Sequence, residues 1–90
     1  MSSDVLSRLL DSIAGNVYRL RTEQRMTQDQ LARAARISIR TVQSIEAAEF
    51  NVRASLLAQL AEALNVDPAA LVTRAVRIRR RAGRPRNPDK

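Results

Sequence analysis

Apolar residues recur at helical spacing along the first three quarters of the chain. In the first stretch they stand four, four and three residues apart, at Leu9, Ile13, Val17 and Leu20. This spacing puts them on one side of a helix, which we expect to end near residues 24–25.

Two shorter helices, each with a capping residue, follow the first. Thr27, with Gln30 three residues later, has the sequence pattern of a capping box and predicts a helix over about residues 28–35. After a tight connection, Ser38 is a suitable N-cap for a helix over about residues 39–47. The positions expected to be buried in this pair are Leu31, Ala32, Val42 and Ile45.

A fourth helix is predicted over about residues 54–64, after a loop at residues 48–53. Asn65, directly after it, suits a left-handed C-cap. The expected buried positions of this helix are Leu57, Leu60, Ala61 and Leu64.

A fifth helix is expected to begin with Asp67 as its cap and Pro68 at its first position, because proline is well tolerated there. We expect this helix to continue to about residue 80. The alternation of Val76 and Ile78 also fits a strand.

Composition narrows the fold and excludes several classes of function. A chain of 90 residues that is rich in Ala and Leu and only 2% aromatic favours one small all-α domain, which we place at residues 1–73. The sequence has no cysteine and no histidine, which excludes disulfides, thiolate or histidine metal sites and nucleophile–histidine catalysis. We therefore expect no enzyme activity, no cofactor and no metal.

The cytoplasm is the expected location of the protein. No apolar run approaches the roughly 20 residues of a membrane span, and the start of the chain lacks the basic and apolar segments of a secretory signal. No membrane partner is expected either, since residues 72–81 lack the large apolar side chains that membrane-surface helices bury.

The positive charge is concentrated at one end of the chain. Residues 74–90 hold eight basic residues and one acid, a net charge of +7, whereas residues 1–73 hold eight arginines and eight acids and are neutral. A basic arm of this kind binds polyanions by releasing their counterions. The alternative interpretation of residues 74–90 is a solvated tail.

The second and third helices have the arrangement of a helix-turn-helix, whose second helix enters the major groove of DNA with its N-terminal end first. Four stretches resemble the Xre/Cro-repressor family closely: residues 17–21 (VYRLR), 26–32 (MTQDQLA), 37–46 (ISIRTVQSIE) and 57–66 (LAQLAEALNV). The resemblance implies a five-helix, lambda-repressor-like domain that binds operator DNA, usually as a two-fold dimer.

The resemblance also implies roles for individual residues. Gln28 matches the residue that holds a DNA phosphate and braces the recognition helix. Arg40 is the best candidate for a base contact, because its guanidinium fits guanine O6 and N7, and Ile39 suits a thymine methyl group. The full set that matches groove-facing positions is Ser38, Ile39, Arg40, Gln43 and Ser44.

Further matches lie beside the groove or inside the domain. Thr41 is expected to bind phosphate, and Asn51 and Arg53 match a loop that meets the DNA backbone. Arg21 and Glu46 match a pair that links the first helix to the third, which we interpret as structural.

Several positions depart from the family pattern. Arg36 and Ala48 stand where the family usually has glycine, and a left-handed backbone there costs a non-glycine residue roughly 1 kcal/mol. Val52 and Arg53 replace the Pro-Ser that commonly opens the fourth helix, which leaves open how that helix is capped and how its loop meets phosphate.

Within the arm, Gly83-Arg84-Pro85-Arg86 resembles the minor-groove arm of invertase-type recombinases and the core of an AT-hook. An extended arginine, Arg84 or Arg86, can enter a narrow A·T-rich minor groove, where the negative potential is strongest. The alternatives are unspecific attraction to phosphate and no role in DNA binding.

The expected function is that of a transcriptional regulator, a repressor or controller, that binds palindromic operators on double-stranded DNA as a homodimer. Phage repressors, antitoxins and restriction–modification controllers all fit. The alternative is a protein-interaction module, an antitoxin or coactivator whose basic tail binds an acidic protein partner. The dimer seam is expected along the fifth helix and its extension, at Leu71, Val72, Ala75, Val76 and Ile78.

Overall fold

The computed structural model describes residues 2–49 and 51–73, and the described part of the chain is helical, with no strand. In chain order its helices are α1 (Ser2–Glu23), α2 (Gln28–Ala35), α3 (Ile39–Glu46), α4 (Ala54–Leu64) and α5 (Ala69–Val72). The predicted all-α, five-helix fold class is confirmed.

Every helix contributes to one core. α1 packs against α3, α4 and α5, while α2 packs against α3 and α4. Burying a leucine or valine side chain stabilises a fold by about 1.5–3 kcal/mol, so even the short α5 gains stability from its buried leucine. The wholly buried apolar side chains include one from each helix: Val17, Leu31, Val42, Leu60 and Leu71.

The caps predicted around α2 and α3 form. Thr27 Oγ1 accepts a hydrogen bond from the Gln30 N–H at 3.0 Å, and the Gln30 side chain accepts one from the Thr27 N–H at 2.8 Å. Ser38 Oγ accepts from the Thr41 N–H at 3.0 Å. The predicted bounds of α2 are confirmed, and α3 ends at Glu46, one residue earlier than predicted.

The N-terminal part of α1 extends beyond the core. Ile13 and Val17 of the predicted apolar stripe are buried, but Leu9 is 40% exposed, and Val5 and Leu6 are 60% and 43% exposed. The apolar stripe of α1 thus continues past the elements that cover it. No helix in residues 2–49 or 51–73 is long and apolar enough to cross a membrane.

The predicted bounds of α4 are confirmed, and its buried face differs at one position. Leu60 and Leu64 are buried as expected, but Leu57 is only partly buried and Leu56 takes its place at 7% exposure. Asn65 closes the helix in the left-handed conformation, with φ 59°.

α5 differs most from its prediction. It begins at Ala69, one residue later than expected, with Pro68 and not Asp67 at the N-cap position. The Asp67 carboxylate nevertheless accepts a hydrogen bond from the Ala69 N–H at 2.8 Å. The helix ends at Val72, and Thr73 is extended with ψ 137°. The expected continuation of the helix through Thr73 is therefore wrong, and the arm from residue 74 onward lies outside the described residues.

A buried asparagine in α1 explains why α5 stops. Asn16 is fully buried, and its Nδ2 donates to the carbonyl oxygens of Leu71 at 2.9 Å and Thr73 at 2.7 Å. A continuing helix would bond these carbonyls to N–H groups four residues ahead. Asn16 satisfies them instead and anchors the end of α5 to α1.

Among residues 2–49 and 51–73, four non-glycine residues have a left-handed backbone: Arg25 (φ 60°), Arg36 (φ 61°), Ala48 (φ 61°) and Asn65 (φ 59°). Asparagine tolerates this conformation, whereas the other residue types lose about 1 kcal/mol or more by adopting it. Arg36 and Ala48 are the two positions where the resemblance pointed to glycine, so these turns keep the family's backbone without its glycines.

Candidate nucleic-acid interface

α2 and α3 form the predicted two-helix unit. The two helices pack directly on each other, and the turn between them is closed by the Ile37 N–H, which donates to the Ala32 carbonyl at 2.9 Å. Their inward side chains are all buried: Leu31, Ala32, Ala35, Val42 and Ile45. The opposite face of α3 is left to solvent.

The residues predicted to face the groove lie on this outer side of α3. Ile39 is 41% exposed, Arg40 and Gln43 are exposed, and Ser44 is partly buried. A large apolar side chain in the first turn, beside a guanidinium and an amide, gives the surface both apolar and hydrogen-bonding groups. Such a mixture matches what base edges present in the major groove.

The two hydroxyl groups at the start of α3 form hydrogen bonds within the helix terminus. Ser38 Oγ caps the helix, and it lies 2.8 Å from Thr41 Oγ1, where either hydroxyl can donate. Ser38 is exposed and Thr41 partly buried. Both hydroxyl groups are therefore held in fixed positions at the N-terminal end of α3.

Gln28 connects α2 to the outer face of α3. Its Nε2 donates to Glu46 Oε1 at 3.1 Å, and its Oε1 accepts from Gln43 Nε2 at 3.4 Å. The side-chain amide thus joins Gln43 to the C-terminal end of the same helix. These hydrogen bonds tie α2 to α3.

Arg21 and Glu46 form the predicted link between α1 and α3. Arg21 Nε and Nη2 donate to the two carboxylate oxygens of Glu46 at 2.6 and 3.0 Å, and Nη1 donates to the Met26 carbonyl at 2.8 Å. The side chains are only 11% and 8% exposed. The hydrogen bond to Glu46 raises the pKa of Arg21, although burial alone would lower it. The arginine therefore stays positively charged, and the pair serves as a structural link.

The loop before α4 brings some of the expected phosphate ligands together. Asn51 and Arg53 are both exposed, and Arg53 occupies the N-cap of α4 without any side-chain hydrogen bond to that helix. Arg53 and Thr41 line one open depression of about 290 Å³, and Asn51 does not. The other residues that line it are Ile37, Ser38, Ser55, Leu56 and Gln59.

Three amide side chains that hold this frame have no signal in the local sequence. Beside Asn16, Gln24 Nε2 donates to the Leu64 carbonyl at 2.8 Å, and Gln59 Nε2 donates to the Ala35 carbonyl at 2.9 Å. Each satisfies a carbonyl at the end of a different helix, which has no partner inside that helix.

The arm residues Arg84 and Arg86 lie outside the described residues, and their expected role stays a prediction.

Comparisons with known proteins agree with this geometry. Residues 17–71, more than half of the chain, match the family model described as helix-turn-helix. The restriction-modification controller protein C.AhdI from Aeromonas hydrophila is similar, with 27% identity and a TM-score of 0.67 over 69% of this chain and 94% of its own. A hypothetical transcription factor, NHTF from Neisseria, is similar with 26% identity and a TM-score of 0.72 over 73% of this chain and 76% of its own. No curated protein matches the sequence.

The family match at residues 17–71 spans α2, α3 and α4, and it includes all four stretches on which the resemblance to the Xre/Cro-repressor family rests. That resemblance is confirmed, and the chain belongs to the helix-turn-helix family.

Proposed function

We propose that this chain is a transcriptional regulator that binds palindromic operators in double-stranded DNA as a homodimer, with α3 as its recognition helix. The observation that carries the proposal is the two-sidedness of α3, whose inner residues Val42 and Ile45 are buried while Ile39 and Arg40 stand exposed at its N-terminal end. The names of the similar structures, a controller protein and a transcription factor, support a regulatory role.

Base reading is assigned to the outer face of α3. Arg40 donates to guanine O6 and N7 through its two parallel N–H groups, and Ile39 packs against a thymine methyl group. The amide of Gln43, oriented by Gln28, suits adenine N6 and N7. Ser38 and Ser44 flank these residues at the edges of the same surface.

Phosphate binding is assigned to the rim around α3. Thr41 and Arg53 line one depression beside the N-terminal end of α4, where the uncapped N–H groups and the helix dipole favour an anion. Gln28 and Asn51 are the other proposed phosphate ligands. These contacts position the domain on DNA without reading its sequence.

A second copy of the chain is proposed because one such domain reads only a few base pairs, and dimers bind half-sites about one helical turn apart. The seam needs one correction, since Leu71 is wholly buried within the protomer and is not available to a partner. Val72 is 38% exposed and remains in the proposed seam. Ala75, Val76 and Ile78 lie outside the described residues.

The sharpest test of DNA reading is Arg40→Ala, measured on a site selected from a random DNA pool and on unrelated duplex. We expect a loss of about 1–3 kcal/mol on the selected site and relaxed preference at one base position. Arg8→Ala is the matched control, because Arg8 is exposed on α1 and its loss changes the net charge equally. An equal loss on both DNAs would show that Arg40 only meets phosphate, and failure to enrich any sequence would contradict the proposed function.

Assembly is tested separately by sedimentation equilibrium and by the stoichiometry of the complex. We expect two chains on a palindromic site whose half-sites are about 10 base pairs apart. A protein that stays monomeric at high micromolar concentration and binds a non-palindromic site one to one would contradict the dimer.

A further inference from the structure

Arg36 occupies a backbone conformation that arginine does not favour. It follows α2 with φ 61° and ψ 45°, and its N–H donates to the carbonyls of Ala32 and Arg33. Asn65, which ends α4 in the same way, is a residue type that tolerates this conformation. The turn therefore requires a left-handed residue at this position, but nothing in its backbone requires that residue to be an arginine.

The side chain of Arg36 is not used inside the domain. The residue is exposed, and within residues 5–49 and 51–73 its guanidinium forms no hydrogen bond or ion pair. Other arginines of the same region are engaged, as Arg33 is with Asp29 at 3.0 Å and Arg21 is with Glu46. Arg36 thus carries an uncompensated charge at a strained position.

Acidic and basic residues are unevenly distributed along the first 73 residues, whose net charge is zero. Residues 54–73 hold two acids and no basic residue before Arg74, whereas residues 25–53 hold five arginines and three acids. The arginines of this second stretch that form no ion pair with any described residue are Arg25, Arg36, Arg40 and Arg53. Three of these four arginines lie in the helix-turn-helix unit or the loop that follows it, and Arg25 lies just before α2.

The position of Arg36 puts it beside the groove that α3 would enter. It precedes Ile39, the first residue of α3, by three residues, so their Cα atoms are at most about 11 Å apart. A helix with its side chains is about 10–12 Å across and fills a major groove about 12 Å wide, which leaves phosphates as the walls beside it. An exposed arginine at this distance from the start of α3 is close enough for its side chain to reach such a wall.

We infer that Arg36 binds a backbone phosphate of DNA at the edge of the groove occupied by α3, and that this contact is the reason for an arginine in the left-handed turn. The inference rests on the proposed function and adds a ligand to it. A phosphate contact carries no sequence information, so it strengthens binding to specific and unrelated DNA alike.

The experiment separates the charge of Arg36 from its backbone strain. Arg36→Gly and Arg36→Asn both suit a left-handed backbone without the charge, and Arg36→Lys keeps the charge in the same strained backbone. Each variant is unfolded in urea and titrated with selected and random duplexes at several salt concentrations. We expect the Gly and Asn variants to unfold at higher urea and yet to bind both DNAs about three-fold or more weakly, with a salt slope smaller by about 0.9. The Lys variant is expected to keep the slope of the wild type.

Two control variants complete the design. Ala48→Gly relieves a left-handed alanine without changing charge, and Arg8→Gln removes a charge from exposed α1; both should bind DNA like the wild type. If Arg36→Asn binds as tightly and with the same slope as Ala48→Gly, the phosphate contact does not exist. If Arg8→Gln loses as much affinity as Arg36→Asn, net charge explains the loss and the inference is equally wrong. A wild type that binds no DNA at all would instead overturn the proposed function, a result that these variants cannot produce.

Discussion

Glu46 is the residue at which hydrogen bonds from α1 and α2 to α3 meet. Its carboxylate accepts from Arg21 on α1 and from Gln28 on α2, while the residue itself belongs to α3. A buried charge needs such partners, because taking it out of water without them is expensive. The raised pKa of Arg21 keeps the arginine's contribution to stability intact at every pH below the ordinary arginine pKa. That contribution is lost only as the pH rises through the raised value, so Arg21 adds no pH dependence in the neutral range.

We predict that Glu46→Gln destabilises the domain by about 3 kcal/mol, because it leaves the Arg21 charge buried without its counterion. Urea unfolding at neutral pH measures this loss. The double variant Arg21→Met/Glu46→Leu should recover most of the stability, since well-packed apolar residues replace a buried pair at little cost. A single variant whose stability equals that of the wild type would mean that water reaches the pair more than its burial suggests.

A second prediction at this scale concerns the left-handed alanine after α3. Ala48→Gly should raise the free energy of unfolding by about 1 kcal/mol, because glycine adopts the native φ of 61° without strain. Asn65→Gly is the control and should change stability far less, since asparagine tolerates the same backbone. Equal effects of the two substitutions, measured by urea unfolding, would argue against strain at Ala48.

At the scale of helices, tertiary contacts decide where α5 ends and how firmly it is held. α5 has only four residues, too few to be stable alone. Its support comes from buried Leu71 and from the two hydrogen bonds that Asn16 donates to its C-terminal carbonyls.

We predict that Asn16→Leu costs about 1–3 kcal/mol, because it removes the side-chain donor from the buried Leu71 carbonyl and the partly buried Thr73 carbonyl. The loss should be accompanied by faster amide exchange of Thr73, whose N–H donates to Ala69 inside α5. Gln59→Ala is the matched control: it removes another side-chain donor to a helix carbonyl, that of Ala35, and should leave exchange in α5 unchanged. Unaltered exchange of Thr73 in Asn16→Leu would show that Leu71 alone holds the helix.

Local signals in the sequence predict those helices that carry their own caps. Thr27, Ser38 and Asn65 mark helix ends through hydrogen bonds or backbone preferences that act within a few residues, and the bounds they predict for α2 and α4 are confirmed. The end of α5 depends on Asn16, which is 55 residues away from Leu71 along the chain. The exposure of Leu9 likewise depends on where neighbouring elements stop, which periodicity does not encode.

The candidate interface was predictable to a similar extent. Exposure of Ile39 and Arg40 follows from helical periodicity once Val42 and Ile45 are assigned to the core. The resemblance pointed to the pairing of Arg21 with Glu46, and the structure confirms it. The hydrogen bonds of Gln28 to two residues of α3, and the shared depression of Thr41 and Arg53, emerge only from packing.

At the scale of the whole molecule, a neutral domain is joined to an arm with a net charge of +7. Charge of this kind acts over the Debye length, about 8–10 Å in ordinary buffers. It therefore affects affinity for any polyanion, whereas discrimination among sequences is the role proposed for the surface of α3.

We predict that removing residues 83–90 weakens DNA binding and lowers the salt slope by up to about 0.9 for each phosphate that the arm had neutralised. If Arg84 enters a minor groove, the loss is larger on sites flanked by A·T runs, and Arg84→Lys reproduces it there, because lysine is more strongly hydrated. Filter binding on flanked and unflanked sites measures both effects. If the truncated chain binds every site as tightly as the intact protein, residues 83–90 do not contribute to DNA binding, and their charge must serve another partner.

Gln43 is joined through Gln28 to Glu46, and this chain of hydrogen bonds constrains how the protein can evolve a new operator. A mutation at Ile39 or Arg40 alters an exposed side chain and leaves the support of the helix intact. A mutation at Gln43 also disturbs Gln28, so its fitness depends on the genetic background in which it arises. Under the proposed reading of DNA by α3, descendants of this protein should therefore change specificity first through positions 39 and 40, and substitutions at Gln43 should appear together with compensating ones at Gln28.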